Sequence, residues 1–200
     1  MTLSRFQKLR RLMLALGLAA SLAPLLFIRP VWDEANHFTI EMAGAALIAI
    51  GILGRLWCTL YIGGRKAREI VDVGPYSMSR NPLYVFSAIA AAGMGAQTGS
   101  LLMALAFALL TWLAFSVVIR REEQHLAALF GAPYLAYCAR VPRFLPDPRL
   151  FRDDNTLTVT PHRLYRTLGD GLFFFAAIPA FETIEHLQQS GVIDAALYVY

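Results

Sequence analysis

Leu101–Phe130 reads LLMALAFALLTWLAFSVVIRREEQHLAALF, and this stretch decides the fold. Its first part, Leu101 to Ile119, is apolar and carries no charge. About 20 such residues of helix cross a bilayer. The run then continues without a breaker through Arg120–Phe130, until Gly131-Ala132-Pro133 interrupts it. The pattern predicts a membrane helix that leads straight into a charged segment bearing two adjacent carboxylates, Glu122 and Glu123.

Working outward, the rest of the chain has the same character. Of 200 residues, 57% are hydrophobic and 16% charged, where soluble domains carry nearer a quarter charged. Further apolar runs occupy Leu12–Ile28, Phe38–Tyr61, Asn81-Pro82 to Gln97, and Leu164–Ile184. They do not alternate apolar with polar residues, which excludes an outer-membrane barrel. The expected fold is all-α: a polytopic membrane helix bundle of about five transmembrane helices, forming one domain over residues 1–200. Leu12–Ile28 reads as a first helix. A signal peptide cleaved near Leu18-Ala19-Ala20 is the alternative. Arg29–His37 reads as a short polar turn. Gly44, Gly51 and Gly54 on the second helix are read as packing residues, because small side chains let helices approach closely in lipid. The last apolar stretch is interrupted by Gly169-Asp170-Gly171 and Pro179 and ends in acidic residues.

The net charge of +4 is spread over loops with no aromatic-interleaved basic patch, so no nucleic-acid partner is expected. Nearly all Lys and Arg lie in the amino terminus, the 62–81 loop and the 120–163 segment. The 29–37 and 97–100 turns hold only Arg29. The positive-inside rule places the basic segments in the cytoplasm. The cysteines, Cys58 and Cys138, lack CxxC spacing, and neither a zinc site nor a redox pair is expected. Cys138 reads as a small filler, with a nucleophile as the alternative.

Polar chemistry is concentrated in two stretches, Gly74–Tyr84 and Arg120–Pro146. On a helical wheel, Trp112, Phe115, Ile119, Leu126, Leu129 and Phe130 share a face with Glu122 and Glu123. Arg120, Arg121, Gln124 and His125 fall off it. Carboxylates aimed at a bundle interior need a cationic or hydrogen-bonding partner. That partner is either protein, from Arg80 or Arg140, or a ligand with an amine, hydroxyls or a cation. Asn81-Pro82 opens a helix, as an N-cap followed by proline at the first helical position. A helix start also suits an anion. Arg80 adjoins it, and Tyr84 lies one turn in. Glu122 and His125 have the Glu-x-x-His spacing of di-iron bundles, but the second such motif is missing. No metal is expected. Nor is there a G-x-S-x-G elbow for serine catalysis.

Five ordered motifs carry a resemblance. They are Gly74-Pro75-Tyr76; Arg80-Asn81-Pro82-Leu83-Tyr84; Glu122-Glu123-Gln124-His125-Leu126; Phe130-Gly131-Ala132-Pro133-Tyr134-Leu135-Ala136-Tyr137; and Arg140-Val141-Pro142. Together, over about residues 50–146, they resemble the isoprenylcysteine carboxyl methyltransferase family and its phospholipid N-methyltransferase relatives. Asn81 stands where the prenylcysteine enzymes have His, which is similar to the bacterial and phospholipid-methylating members. Residues 147–200 form a linker, an apolar helix and a tail outside the resemblance.

The resemblance implies a methyl group passed from S-adenosylmethionine to a lipophilic acceptor at the cytoplasmic face of a bacterial inner membrane. The acceptor would be an isoprenylcysteine-like carboxylate, making the enzyme a carboxyl O-methyltransferase, or a lipid amine or thiol. The cofactor would be held by Tyr76, Arg80, Asn81, Pro82, Tyr84, Glu122 and Glu123. Arg121 and Arg140 would hold an acceptor carboxylate or phosphate. A non-enzymatic scaffold or transporter on the same fold is the competing expectation.

Overall fold

The structure, a computed structural model, describes residues 26–199. The basic amino terminus and all of Leu12–Ile28 except its last three residues lie outside the described residues. Strand β1 (Ile28–Pro30) is followed by helices α1 (Glu34–Ile62), α2 (Pro75–Met78), α3 (Pro82–Ala96), α4 (Leu101–Phe130), α5 (Ala132–Arg140), α6 (Pro161–Phe175) and α7 (Ala177–Gln189), and by strand β2 (Leu197–Val199). This is an all-α membrane bundle. Among the described residues, three helical stretches are long and apolar enough to cross a membrane: α1, α4 and α6 together with α7, Pro161–Gln189. The shorter α3 is also apolar.

Local chemistry sets the helix ends. α1 begins earlier than the hydropathy suggests, because Asp33 caps it by accepting from the Asn36 N–H. The polar Glu34–His37 segment thereby joins the helix instead of forming a turn. α4 runs unbroken from a Ser100 cap to Gly131, whose φ is +61°. α5 starts at Ala132, inside the Gly131-Ala132-Pro133 interruption, since Pro133 is tolerated in a first turn. Gly169-Asp170-Gly171 does not interrupt α6. The break comes after Phe175, where Pro179 cannot donate to the carbonyl four residues back and its ring crowds it.

The bundle is organised around α1 and α3, and their close approach depends on glycine. A Cβ on Gly54 would lie 2.1 Å from the Phe86 ring, and one on Gly51 would lie 2.6 Å from Ala90 Cβ. α6 closes on the other flank of α1, with a Thr59 Oγ1–Thr167 Oγ1 hydrogen bond of 3.1 Å. α4 covers α3 but keeps most of its surface outward: Leu105, Leu109, Leu110, Leu113, Val117 and Val118 are exposed. Such a face suits hydrocarbon. At one end of the bundle, β1 and β2 pair in parallel, with Ile28 opposite Leu197. The sequence patterning had not indicated this clasp, since each strand is only three residues long. At the other end, the segment 63–81, α5 and the stretch 141–157 fold over the tips of α1, α3 and α4.

Candidate active site

The two polar stretches meet at that second end. Backbone and side-chain hydrogen bonds stitch them together: Arg80 N–H to the Pro142 carbonyl at 2.9 Å, Ser79 Oγ to the Phe144 carbonyl at 2.9 Å, and Asp147 N–H to the Met78 carbonyl at 3.0 Å. The Tyr137 phenol donates to the Tyr76 carbonyl at 2.9 Å. Gly74 is required in this loop. Its φ is +57°, and a Cβ there would strike the Tyr61 ring at 2.4 Å.

Glu122 and Glu123 project from α4 into the junction, but they differ. Glu123 is buried. Its carboxylate accepts from Asn81 Nδ2 at 3.0 Å and pairs with Arg143 at 2.6 Å. Arg80 Nε lies 3.6 Å away. Glu122 accepts from the Tyr84 hydroxyl at 2.8 Å and pairs with Lys66 at 2.6 Å. A cavity of about 80 Å³ lies between them, with Tyr76, Arg80, Asn81, Tyr84, Glu122 and Glu123 in its wall. Leu83, Leu126 and Phe130 give it an apolar side, while Lys66 and Glu69 line the loop side. The Arg65 guanidinium beside Glu69 holds that carboxyl below its usual range.

Of the sequence-predicted residues, these six line one cavity. Pro82 sits buried at the first position of α3, outside the wall. Asn81 occupies the N-cap position, yet its side chain makes no cap hydrogen bond; it turns instead to Glu123 and the Arg143 carbonyl. Arg121 is exposed on α4. Arg140 is exposed and pairs with Asp72 at 2.7 Å, a carboxylate that Arg152 also reaches. Leu129 is exposed, off the buried face assigned by the wheel. Cys138 packs against the Tyr134, Tyr137 and Val141 cluster, Cys58 is wholly buried, and neither lines the cavity.

Sequence reasoning missed Lys66, Arg143 and Asp72. All three lie in irregular segments, where no periodicity assigns a direction. Tyr134 and Tyr137 were visible in a motif but had no role attached. Burial drives the phenol pKa values of Tyr76, Tyr134 and Tyr137 upward, so each remains a hydrogen-bond donor.

The family described as phospholipid methyltransferase matches residues 39–133. A cobalt-zinc-cadmium resistance protein, CzcN, of Cupriavidus metallidurans is 36% identical over 180 residues, covering 88% of this chain and 82% of that protein. The nickel-cobalt-cadmium resistance protein NccN of Alcaligenes xylosoxydans xylosoxydans is 38% identical over 154 residues, covering 77% and 70%. The chain belongs to the phospholipid and isoprenylcysteine methyltransferase family. More distantly, protein-S-isoprenylcysteine O-methyltransferase B of Arabidopsis thaliana is 28% identical over 121 residues, 56% of this chain and 61% of that enzyme. No solved structure matches the chain at a significant level.

A polar methyl donor placed at this junction would meet both charged and hydrogen-bonding side chains. Arg80 Nε is a buried donor with no hydrogen-bond partner among the described residues, which suits an incoming carboxylate. Glu122 and Glu123 supply acceptors for an ammonium or hydroxyls. The donor and acceptor set therefore fits. The space is tighter: about 80 Å³ is well below the ~300–1,000 Å³ of ordinary small-molecule pockets. Lys66, more than half exposed and bridging to Glu122, closes the loop side of that space.

Proposed function

We propose that the chain is an integral inner-membrane enzyme that binds S-adenosylmethionine at this junction and methylates a lipophilic acceptor, with the site facing the cytoplasm. The single observation that carries the reading is the buried Arg80 Nε, 3.6 Å from Glu123 yet without a hydrogen-bond partner among the described residues, in the wall of a cavity that also holds Glu122 and Glu123. Family membership supports it, and the basic loops around the cavity support the orientation.

When bound, S-adenosylmethionine supplies a methyl group from its sulfonium to an oxygen, nitrogen or sulfur of the acceptor and leaves as a neutral thioether. The residues of this chain bind and orient. Arg80 and the start of α3 hold a carboxylate. Tyr84 fixes the Glu122 carboxylate, and Asn81 fixes that of Glu123, so both acceptors are aimed before a ligand arrives. Asn81 cannot act as a base, so proton removal is not its task. A carboxylate acceptor needs no deprotonation step, whereas an amine acceptor must lose a proton to a base such as Glu122. Rate enhancement comes from positioning and from exclusion of water. Arg121 and Arg140 are the proposed anchors for the acceptor's carboxylate or phosphate. The acceptor enters from lipid along the apolar flank of α4.

The names of CzcN and NccN attach those proteins to metal resistance, and we carry that setting to this chain as the physiological context. The enzymatic reading is tested by equilibrium binding of labelled S-adenosylmethionine to the protein in lipid nanodiscs, followed by transfer of label into a lipid extract. Arg80→Ala should weaken binding about tenfold or more, the loss of one charge-assisted pair. Arg121→Ala should raise the KM for acceptor and leave cofactor affinity intact. Absence of saturable cofactor binding by the unmodified protein would sink the reading in favour of a non-enzymatic scaffold.

A further inference from the structure

The opposite end of the bundle holds a second cluster of reactive side chains. His37 and Glu41 stand one turn apart near the start of α1, and Glu185 meets them from α7. His37 Nε2 lies 3.1 Å from Glu41 Oε1 and 3.9 Å from Glu185 Oε2. One donor atom from each residue lies within 4.8 Å of the others. A tetrahedral cation with nitrogen and oxygen ligands at ~2.0–2.2 Å sets those ligands roughly 3.4 Å apart. Small side-chain rotations would bring all three onto one ion.

The surroundings point the same way. The cluster opens into a cavity of about 1000 Å³. Among the described residues, its wall carries Asp33, Glu34, Glu41 and Glu185, with Arg29 and His37 as the basic side chains. Such a concave acidic wall concentrates cations. Among the described residues, no Lys or Arg lies within ion-pair distance of Glu41 or Glu185. The His37 ring faces both carboxylates, and Gln189 Nε2 donates to Glu185 at 3.1 Å. The cluster is also held from several sides. Gly99, at φ +69°, lets the 97–100 turn lie against the His37 ring, where a Cβ would come within 2.6 Å. Gln97 Nε2 donates to the Glu41 carbonyl at 2.9 Å. Gln188, on α7 with Glu185, donates to the Leu26 carbonyl at 2.7 Å.

We propose that His37, Glu41 and Glu185 form a binding site for a borderline divalent cation, Zn²⁺ or Co²⁺, with its remaining position open to the cavity. One imidazole and two carboxylates is a donor set that such ions accept. The site lies roughly 35 Å along α1 from Ile62, at the end of the bundle away from the methyltransferase junction. It uses none of that junction's residues, so the two stand or fall separately.

The test uses the full chain in detergent, stripped with a chelator and titrated calorimetrically with Zn²⁺ and, separately, Co²⁺. The expected result is one equivalent bound per chain. His37→Gln and Glu185→Gln should each weaken binding about tenfold or more, since even indirect support of a metal ligand is worth about that much. Bound Co²⁺ should show visible absorption of the intensity typical of four-coordinate sites, and His37→Gln should abolish it. Binding of S-adenosylmethionine should be unchanged in both variants. If His37→Gln does not fold, Glu185→Gln decides alone, since Glu185 is at the more exposed rim of the cluster. A plain ion pair predicts the contrary: both variants lose thermal stability and the wild type takes up no stoichiometric metal. That result, or unchanged metal affinity in Glu185→Gln, overturns the proposal.

Discussion

Glu122 and Glu123 are neighbours in sequence and unlike in energetics. Glu123 is buried between Asn81, Arg143 and Arg80, and removing one partner of a buried pair strands the other. Glu123→Ala should therefore lower unfolding free energy by about 3–5 kcal/mol, read by denaturant titration in detergent. Glu122 faces Lys66, whose side chain is more than half exposed. Glu122→Gln should cost at most about 1 kcal/mol of stability while still weakening the binding of the methyl donor. The buried phenols give a second residue-scale prediction. Burial raises the pKa of Tyr76 and Tyr137 above the ordinary value near 10. The folded state then holds those protons more tightly than the unfolded chain does. Their contribution is fully present below about pH 10 and is lost as the pH rises beyond it. Stability should fall on the alkaline side, with phenolate absorbance appearing late. Tyr137→Phe should remove part of that slope. The inward direction of both carboxylates was legible from helical periodicity alone. Their cations were not, because Lys66 and Arg143 reach the site from loops that follow no period.

At the scale of elements, the helices were legible and their ends were less so. Capping by Asp33 and the tolerance of proline in a first turn moved boundaries by a few residues. The paired strands, three residues each, gave no signal of their own. The metal-ligating cluster was invisible for a related reason: His37 and Glu185 are 148 positions apart, and only the fold of α7 onto α1 joins them. The loop between α1 and α2 carries its own prediction. Lys66 spans the junction from a segment whose Ala67 adopts a positive φ of +58°, so the loop is held in a defined, mildly strained shape. Lys66→Ala removes the bridge without touching the buried pair. It should speed both association and release of S-adenosylmethionine in stopped-flow binding, and leave unfolding within about 0.5 kcal/mol of wild type.

For the molecule as a whole, the uncharged part of α4 has a fixed length. From Leu101 to Ile119 it extends about 28 Å at 1.5 Å per residue, close to the ~30 Å hydrocarbon thickness of a bilayer. The charged segment bearing Glu122 and Glu123 begins at the next residue. α4 thus acts as a depth gauge, fixing how far the reactive groups stand from the midplane. Acceptors would then be sorted by the level at which their head groups float, and tail length would matter little once the tail reaches the hydrocarbon. Turnover should be similar for acceptors of differing tail length in one membrane. It should decline for a single acceptor moved into nanodiscs of markedly longer or shorter acyl chains, where mismatch tilts the gauge or thins the lipid around it. A rate that follows the acceptor's tail and ignores the bilayer would show that the measurement is made in a pocket. Otherwise, the membrane itself is half of the specificity determinant.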